Sequence, residues 1–129
     1  MSKNTIDLYH FTCDHGHKGI SETGVLRPNK HPYMPGLGPL LWLTDLAEPP
    51  NRESIGLSSR LSPCDRMAYR YIVRSKAAIH WRDIRSRVPA QVVADLEAFS
   101  QPEHWWIARR TLTSSEFAFD ETWKKETIS

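Results

Sequence analysis

The stretch Thr5-Ile6-Asp7-Leu8-Tyr9-His10-Phe11-Thr12 decides how the rest of the chain is read. Alternation puts Ile6, Leu8, His10 and Thr12 on one face and Asp7, Tyr9 and Phe11 on the other. Both faces are largely apolar, which predicts a central strand covered on two sides rather than an edge. Asp14 then offers a cap to a short helix through Ser21 or Glu22. Gly24 is a left-handed stop ahead of Val25-Leu26.

Working outward, Arg27 to Pro39 reads as an irregular loop, broken by Pro28, Pro32, Pro35, Gly36, Gly38 and Pro39. Leu40 to Thr44 is a second short strand, and Asn51 caps a brief helix across Arg52 to Leu57. Met67, Tyr69, Tyr71 and Val73 alternate with Arg70 and Arg74, the pattern of a half-solvated strand. Pro89 suits the first turn of a helix to about Phe99, with Val92, Val93, Leu96 and Phe99 as its apolar stripe. Strands from His104 to about Leu112 and from Glu116 to Trp123 complete five or six strands and two or three short helices. The order lacks βαβα alternation, so the fold class is α+β.

All six glycines lie between Gly16 and Gly56 and seven of nine prolines between Pro28 and Pro63, so the loops are concentrated in the first half. At 129 residues the chain has the length of one domain, 1–129. No apolar run approaches a membrane span and the first residues lack a secretory core, which predicts a cytoplasmic protein without a membrane partner. Seventeen Lys and Arg against 15 Asp and Glu give +2, too little to argue for nucleic acid. Locally, Arg66, Arg70, Arg74, Lys76, Arg82, Arg85 and Arg87 face only Asp83 in sequence. That segment is either a solvated surface or a face for a phosphate-bearing ligand or nucleic acid. Trp105 and Trp106 would point to opposite sides of a strand, so at least one belongs to the core; with Trp81 they could otherwise stack bases.

His10, Cys13, His15 and His17 are ligand types that zinc prefers, within eight residues. Their spacing argues against a site: His10 belongs to a strand, the others to a turn and helix start, and no second ligand pair follows. A zinc protein is therefore a third reading, and the expected metal set is empty. Cys13 and Cys64 are too few for a disulfide framework and are expected to stay reduced.

The segment Leu8-Tyr9-His10-Phe11-Thr12, followed by Gly19-Ile20 and Gly24-Val25-Leu26, resembles the first strand and helix of the ADP-ribosyltransferase superfamily. Pro39-Leu40-Leu41-Trp42-Leu43-Thr44-Asp45 is similar to the strand of the poly(ADP-ribose) polymerase and diphtheria-toxin branch whose tyrosine stacks on nicotinamide. Trp42 takes that tyrosine's place. Glu116 before Phe117-Ala118-Phe119 fits the family's late glutamate by order and local pattern. The resemblance covers roughly residues 6–57 and implies a mainly antiparallel, split or curved sheet that binds NAD.

It further implies roles for single residues. Glu116 would stabilise the oxocarbenium-like charge that builds as the nicotinamide–ribose bond breaks, with Glu121 and Glu126 as rival acids. His10 would donate to a ribose hydroxyl, Trp42 would stack on nicotinamide, and Thr44 would be the small polar residue two positions on. Tyr9 and Thr12 flank His10 in the same cofactor-binding set. Arg27, Arg52 and Arg66 are the arginines that could meet the pyrophosphate, and Cys64-Asp65-Arg66 could line the cleft. The implied activity is transfer of ADP-ribose from NAD to a protein or nucleic-acid acceptor. A module on the same fold that binds protein or RNA without transfer is the alternative.

Overall fold

The computed structural model describes residues 6–30, 36, 38–49, 67–98 and 100–123. The expected helix from Asn51 to Leu57, with Arg52, lies outside them, as do Cys64-Asp65-Arg66, Phe99 and Glu126. Strand β1 (Leu8–Thr12) is followed by helix α1 (Asp14–Thr23), the two-residue β2 (Asn29–Lys30), β3 (Pro39–Thr44), β4 (Tyr69–Val73) and β5 (Ile79–His80). After two 3-10 turns come helix α2 (Ala90–Glu97), β6 (Trp105–Ala108) and β7 (Phe117–Phe119). All pairings are antiparallel, in the order β5-β6-β3-β1-β4-β7, with β2 added to β3. This is an α+β arrangement, and β1 occupies the interior position that its two apolar faces require.

Register assigns every side chain to a face. Leu8 opposes Val73 and His10 opposes Tyr71, while Tyr9 opposes Thr44 and Trp42 opposes Ile107. One face therefore carries Leu8, His10, Thr12, Leu41, Leu43, Tyr71, Val73 and Trp106. The other carries Tyr9, Phe11, Leu40, Trp42, Thr44, Arg70, Trp105 and Ile107.

Helix α1 covers the first face. Ile20 packs on the cluster of Leu8, Leu41, Leu43, Val73, Ala108 and Leu112. The His17 ring lies flat on Tyr69, centroids 4.1 Å apart, and its Nδ1 is 2.6 Å from the Tyr71 hydroxyl. Gly24 ends the helix at φ 74°, the left-handed conformation expected of it, and its N–H bonds the Ile20 carbonyl. The start differs from expectation. Cys13 is the N-cap residue and Asp14 stands in the first turn, where its carboxylate accepts from the Tyr69 hydroxyl at 2.6 Å.

The second face is closed by the 3-10 turns and α2. Leu40, Trp81, Ile84, Val88, Val93, Trp105 and Ile107 form one core, with Trp42, Val92 and Leu96 against it. Glu97 ties these pieces together: it accepts from the Trp81 indole at 2.6 Å and from Arg85 at 2.8 Å. Toward the other end, Phe11 and Met67 pack with Tyr9, Leu46 and Trp123. Both adjacent tryptophans are thus structural, Trp105 on this face and Trp106 on the opposite one.

Several boundaries depart from the sequence reading. β1 begins at Leu8, and Asn29–Lys30 pairs with β3 inside the expected loop. Pro89 precedes α2 as its N-cap. β6 ends at Ala108, and Leu112 makes a lone bridge to Leu26 instead. Arg70 does not face solvent: its side chain is 13% exposed and pairs with Asp120. Among the described residues no helix is long and apolar enough to cross a membrane.

Candidate functional site

The pairing of β1 with β3 is registered at one position, Tyr9 opposite Thr44. Along the same seam, the His10 ring approaches the neighbouring strand, with Nδ1 3.0 Å from the Trp42 carbonyl oxygen. A carbonyl only accepts, so Nδ1 carries the proton and Nε2 is the acceptor of the neutral ring. His10, Tyr9, Trp42 and Thr44 are therefore neighbours in the sheet. Their side chains are divided between its faces, His10 on one and Tyr9, Trp42 and Thr44 on the other.

Each of these residues also has a packing role. The Trp42 ring meets Trp81 at 5.3 Å and Trp105 edge-on at 5.7 Å. Thr44 is buried, and its hydroxyl accepts from the Leu46 N–H at 3.1 Å. The Arg70 guanidinium lies over Tyr9, 5.1 Å from the ring centroid, and over Trp123 at 4.7 Å. Thr12 ends β1 beneath Gly16, so closely that a Cβ on Gly16 would stand 1.8 Å from its hydroxyl oxygen. Arg27 is exposed just after the Leu26–Leu112 bridge.

Glu116 lies elsewhere. Its carbonyl accepts from the Arg74 N–H, one residue beyond the Leu8–Val73 pair, which places it level with Asp7. His10 is three residues further along β1 and two strands away. At roughly 3.3 Å per residue and 4.8 Å per strand, the two backbones are about 14 Å apart. The Glu116 carboxylate accepts from both Arg110 nitrogens at 3.0 and 2.8 Å, the Ser75 hydroxyl at 2.5 Å and the Thr113 N–H at 3.0 Å. The Arg110 hydrogen bonds, aided by Ser75 and Thr113 against the opposing effect of desolvation, hold its pKa down at about 2. Glu121 is exposed in the following turn.

Half of the described cations of the basic segment are paired with acids outside it. Arg70 pairs with Asp120, Arg74 with Asp7 at 2.5 Å and Arg85 with Glu97. Lys76, Arg82 and Arg87 remain as exposed cations of that run. The histidine cluster is likewise dispersed: His10 turns to Trp42 and His17 to Tyr71, while Cys13 Sγ lies 3.9 Å from His15 Nδ1. Among the described residues no group of three or more His, Cys, Asp or Glu could hold a metal ion.

One constellation has no local sequence signal. Asp45, directly after Thr44, binds His104 and Trp106, 59 and 61 residues away. Only the β3–β6 register brings them together. Comparison with models of known protein families, with curated proteins and with solved structures finds no significant match.

Proposed function

We propose that the chain binds NAD at the β1–β3 seam and acts as an ADP-ribosyltransferase or a related NAD-cleaving protein. The observation that carries this reading is the His10 ring set against the Trp42 carbonyl between two interior strands. It joins the two segments whose sequence resembles the superfamily. With Nδ1 donating to Trp42, a ribose hydroxyl would donate to Nε2, the reverse of the polarity read from the sequence. Cleaving the nicotinamide–ribose bond then needs a carboxylate near the developing positive charge. For Glu116 to serve, it would have to exchange the donors that now occupy it.

Glu116's engagement and its distance from His10 favour a second reading, a module that binds protein or RNA without transferring. One experiment separates the two. Calorimetry with NAD is combined with nicotinamide release by wild type, H10A, E116Q and E121Q. Transfer predicts binding weakened by H10A and release abolished by one of the acid variants. Binding without release removes transfer, and no heat at millimolar NAD removes the NAD reading and leaves the module for protein or RNA. A macromolecular acceptor would meet the exposed Lys76, Arg82 and Arg87.

A further inference from the structure

We propose that Asp45 and His104 form a proton-accepting dyad that activates a hydroxyl nucleophile, either water or an alcohol side chain. This goes beyond the NAD reading and does not depend on it. The His104 Nδ1 is 2.6 Å from Asp45 Oδ1, and a carboxylate offers only lone pairs, so Nδ1 carries the proton. In the tautomer that this contact fixes, the second ring nitrogen, Nε2, is the one that can accept a proton, on a side chain that is 34% exposed. This is the arrangement by which a carboxylate fixes the tautomer and orientation of a general base.

The surroundings hold the pair rigidly. The Asp45 N–H donates to the His104 carbonyl at 3.2 Å, and Asp45 Oδ2 accepts from the Trp106 indole at 3.0 Å. His104 closes the 3-10 turn Pro102–His104 as the chain enters β6. The other groups facing the pair are Glu103 and His80. Glu103 Oε2 is 3.9 Å from Nε2, beyond hydrogen-bonding distance. His80 stands edge-on to Trp106 with both nitrogens committed: Nε2 donates to the Glu103 carbonyl at 2.8 Å, and Nδ1 accepts from the Arg82 N–H at 3.1 Å.

Anchoring Trp106 uses only one Asp45 oxygen. The other accepts from His104, whose side chain is partly exposed. In the step proposed, the O–H bond of the bound hydroxyl breaks, its proton forms an N–H bond with the Nε2 lone pair, the O–H electron pair stays on oxygen, and the resulting imidazolium faces the Asp45 carboxylate.

The test is carbethoxylation by diethyl pyrocarbonate, read at each histidine by peptide mass spectrometry, with the exposed His15 as internal reference. His104 is expected to react faster than His15, and D45N, whose amide can offer His104 an N–H, to lower that ratio about threefold or more. Thermal denaturation of D45N and H104Q reports folding separately. A wild-type His104 that reacts no faster than His15, or a ratio unchanged in folded D45N, overturns the dyad. Absence of NAD binding would remove the reading of the previous subsection and leave this result standing.

Discussion

His10 and Trp42 touch through a side-chain nitrogen and a backbone carbonyl, 3.0 Å apart, while their own rings occupy opposite faces of the sheet. The sheet therefore separates the two rings, and neither face alone presents the pair.

Different consequences follow for the two residues. Trp42 packs on Trp81 and Trp105, so W42A should cost about 3 kcal/mol through the cavity it leaves. H10A removes one partly buried hydrogen bond and should cost about 1 kcal/mol. Urea denaturation of both variants checks the contrast. Equal losses would place His10 in the core alongside Trp42.

The Glu116 clamp sets an acid limit. Its folded pKa of about 2 is below the ordinary 4.5, so the stabilisation is complete above that ordinary value and disappears as pH falls through 2. Arg110 is 55% exposed, so screening keeps the contribution to about 1 kcal/mol. Melting temperature followed downward from pH 5 should fall less steeply in E116Q than in wild type. Parallel curves would show that the carboxylate is not what titrates.

Arg70 and Asp120 form the most buried ion pair described, with side chains 13% and 6% exposed. Arg70 also donates to the Ala47 carbonyl at 2.6 Å and Asp120 accepts from Thr122, so either partner left alone would be a buried charge with unmet bonds. R70A or D120A should each cost about 3 kcal/mol or more, and the double substitution less than their sum. A double-mutant cycle by chemical denaturation measures the coupling; additive effects would contradict it.

Gly16 is required by proximity rather than by backbone angle. A methyl group there would collide with the Thr12 hydroxyl, and the Thr12 Cβ at 3.1 Å limits relief by rotation. G16A should destabilise by about 1–2 kcal/mol, and T12A in the same chain should recover part of it. Failure of T12A to recover any stability would locate the strain elsewhere.

Local chemistry made much of the fold legible. The alternation of Leu8 to Thr12, Gly24 as a left-handed stop, and the Val92, Val93 and Leu96 stripe each depend on neighbours in sequence, and each has its structural counterpart. The charge of Arg66 to Arg87 was legible only in part, because counting along the chain cannot see Asp7, Glu97 and Asp120, which reach Arg74, Arg85 and Arg70 by strand pairing and helix packing. Glu116 was recognisable by its place before an aromatic strand, whereas its capture by Arg110 depends on how the 109–116 turn closes. Asp45 and His104 were hidden for the same reason, since a contact 59 residues apart leaves no spacing to read.

The β1–β4 ladder also governs how the chain acquires its shape. Leu8 and Val73 are 65 residues apart, and Thr44 meets Trp105 after another 61. Such pairings make loop closure the slow step and favour a late, cooperative collapse. During synthesis the interior strand β1 emerges long before either of its sheet neighbours is complete. For that interval its two hydrogen-bonding edges and its apolar faces are bare, so Leu8 to Thr12 is exposed to non-native pairing until β3 and β4 arrive.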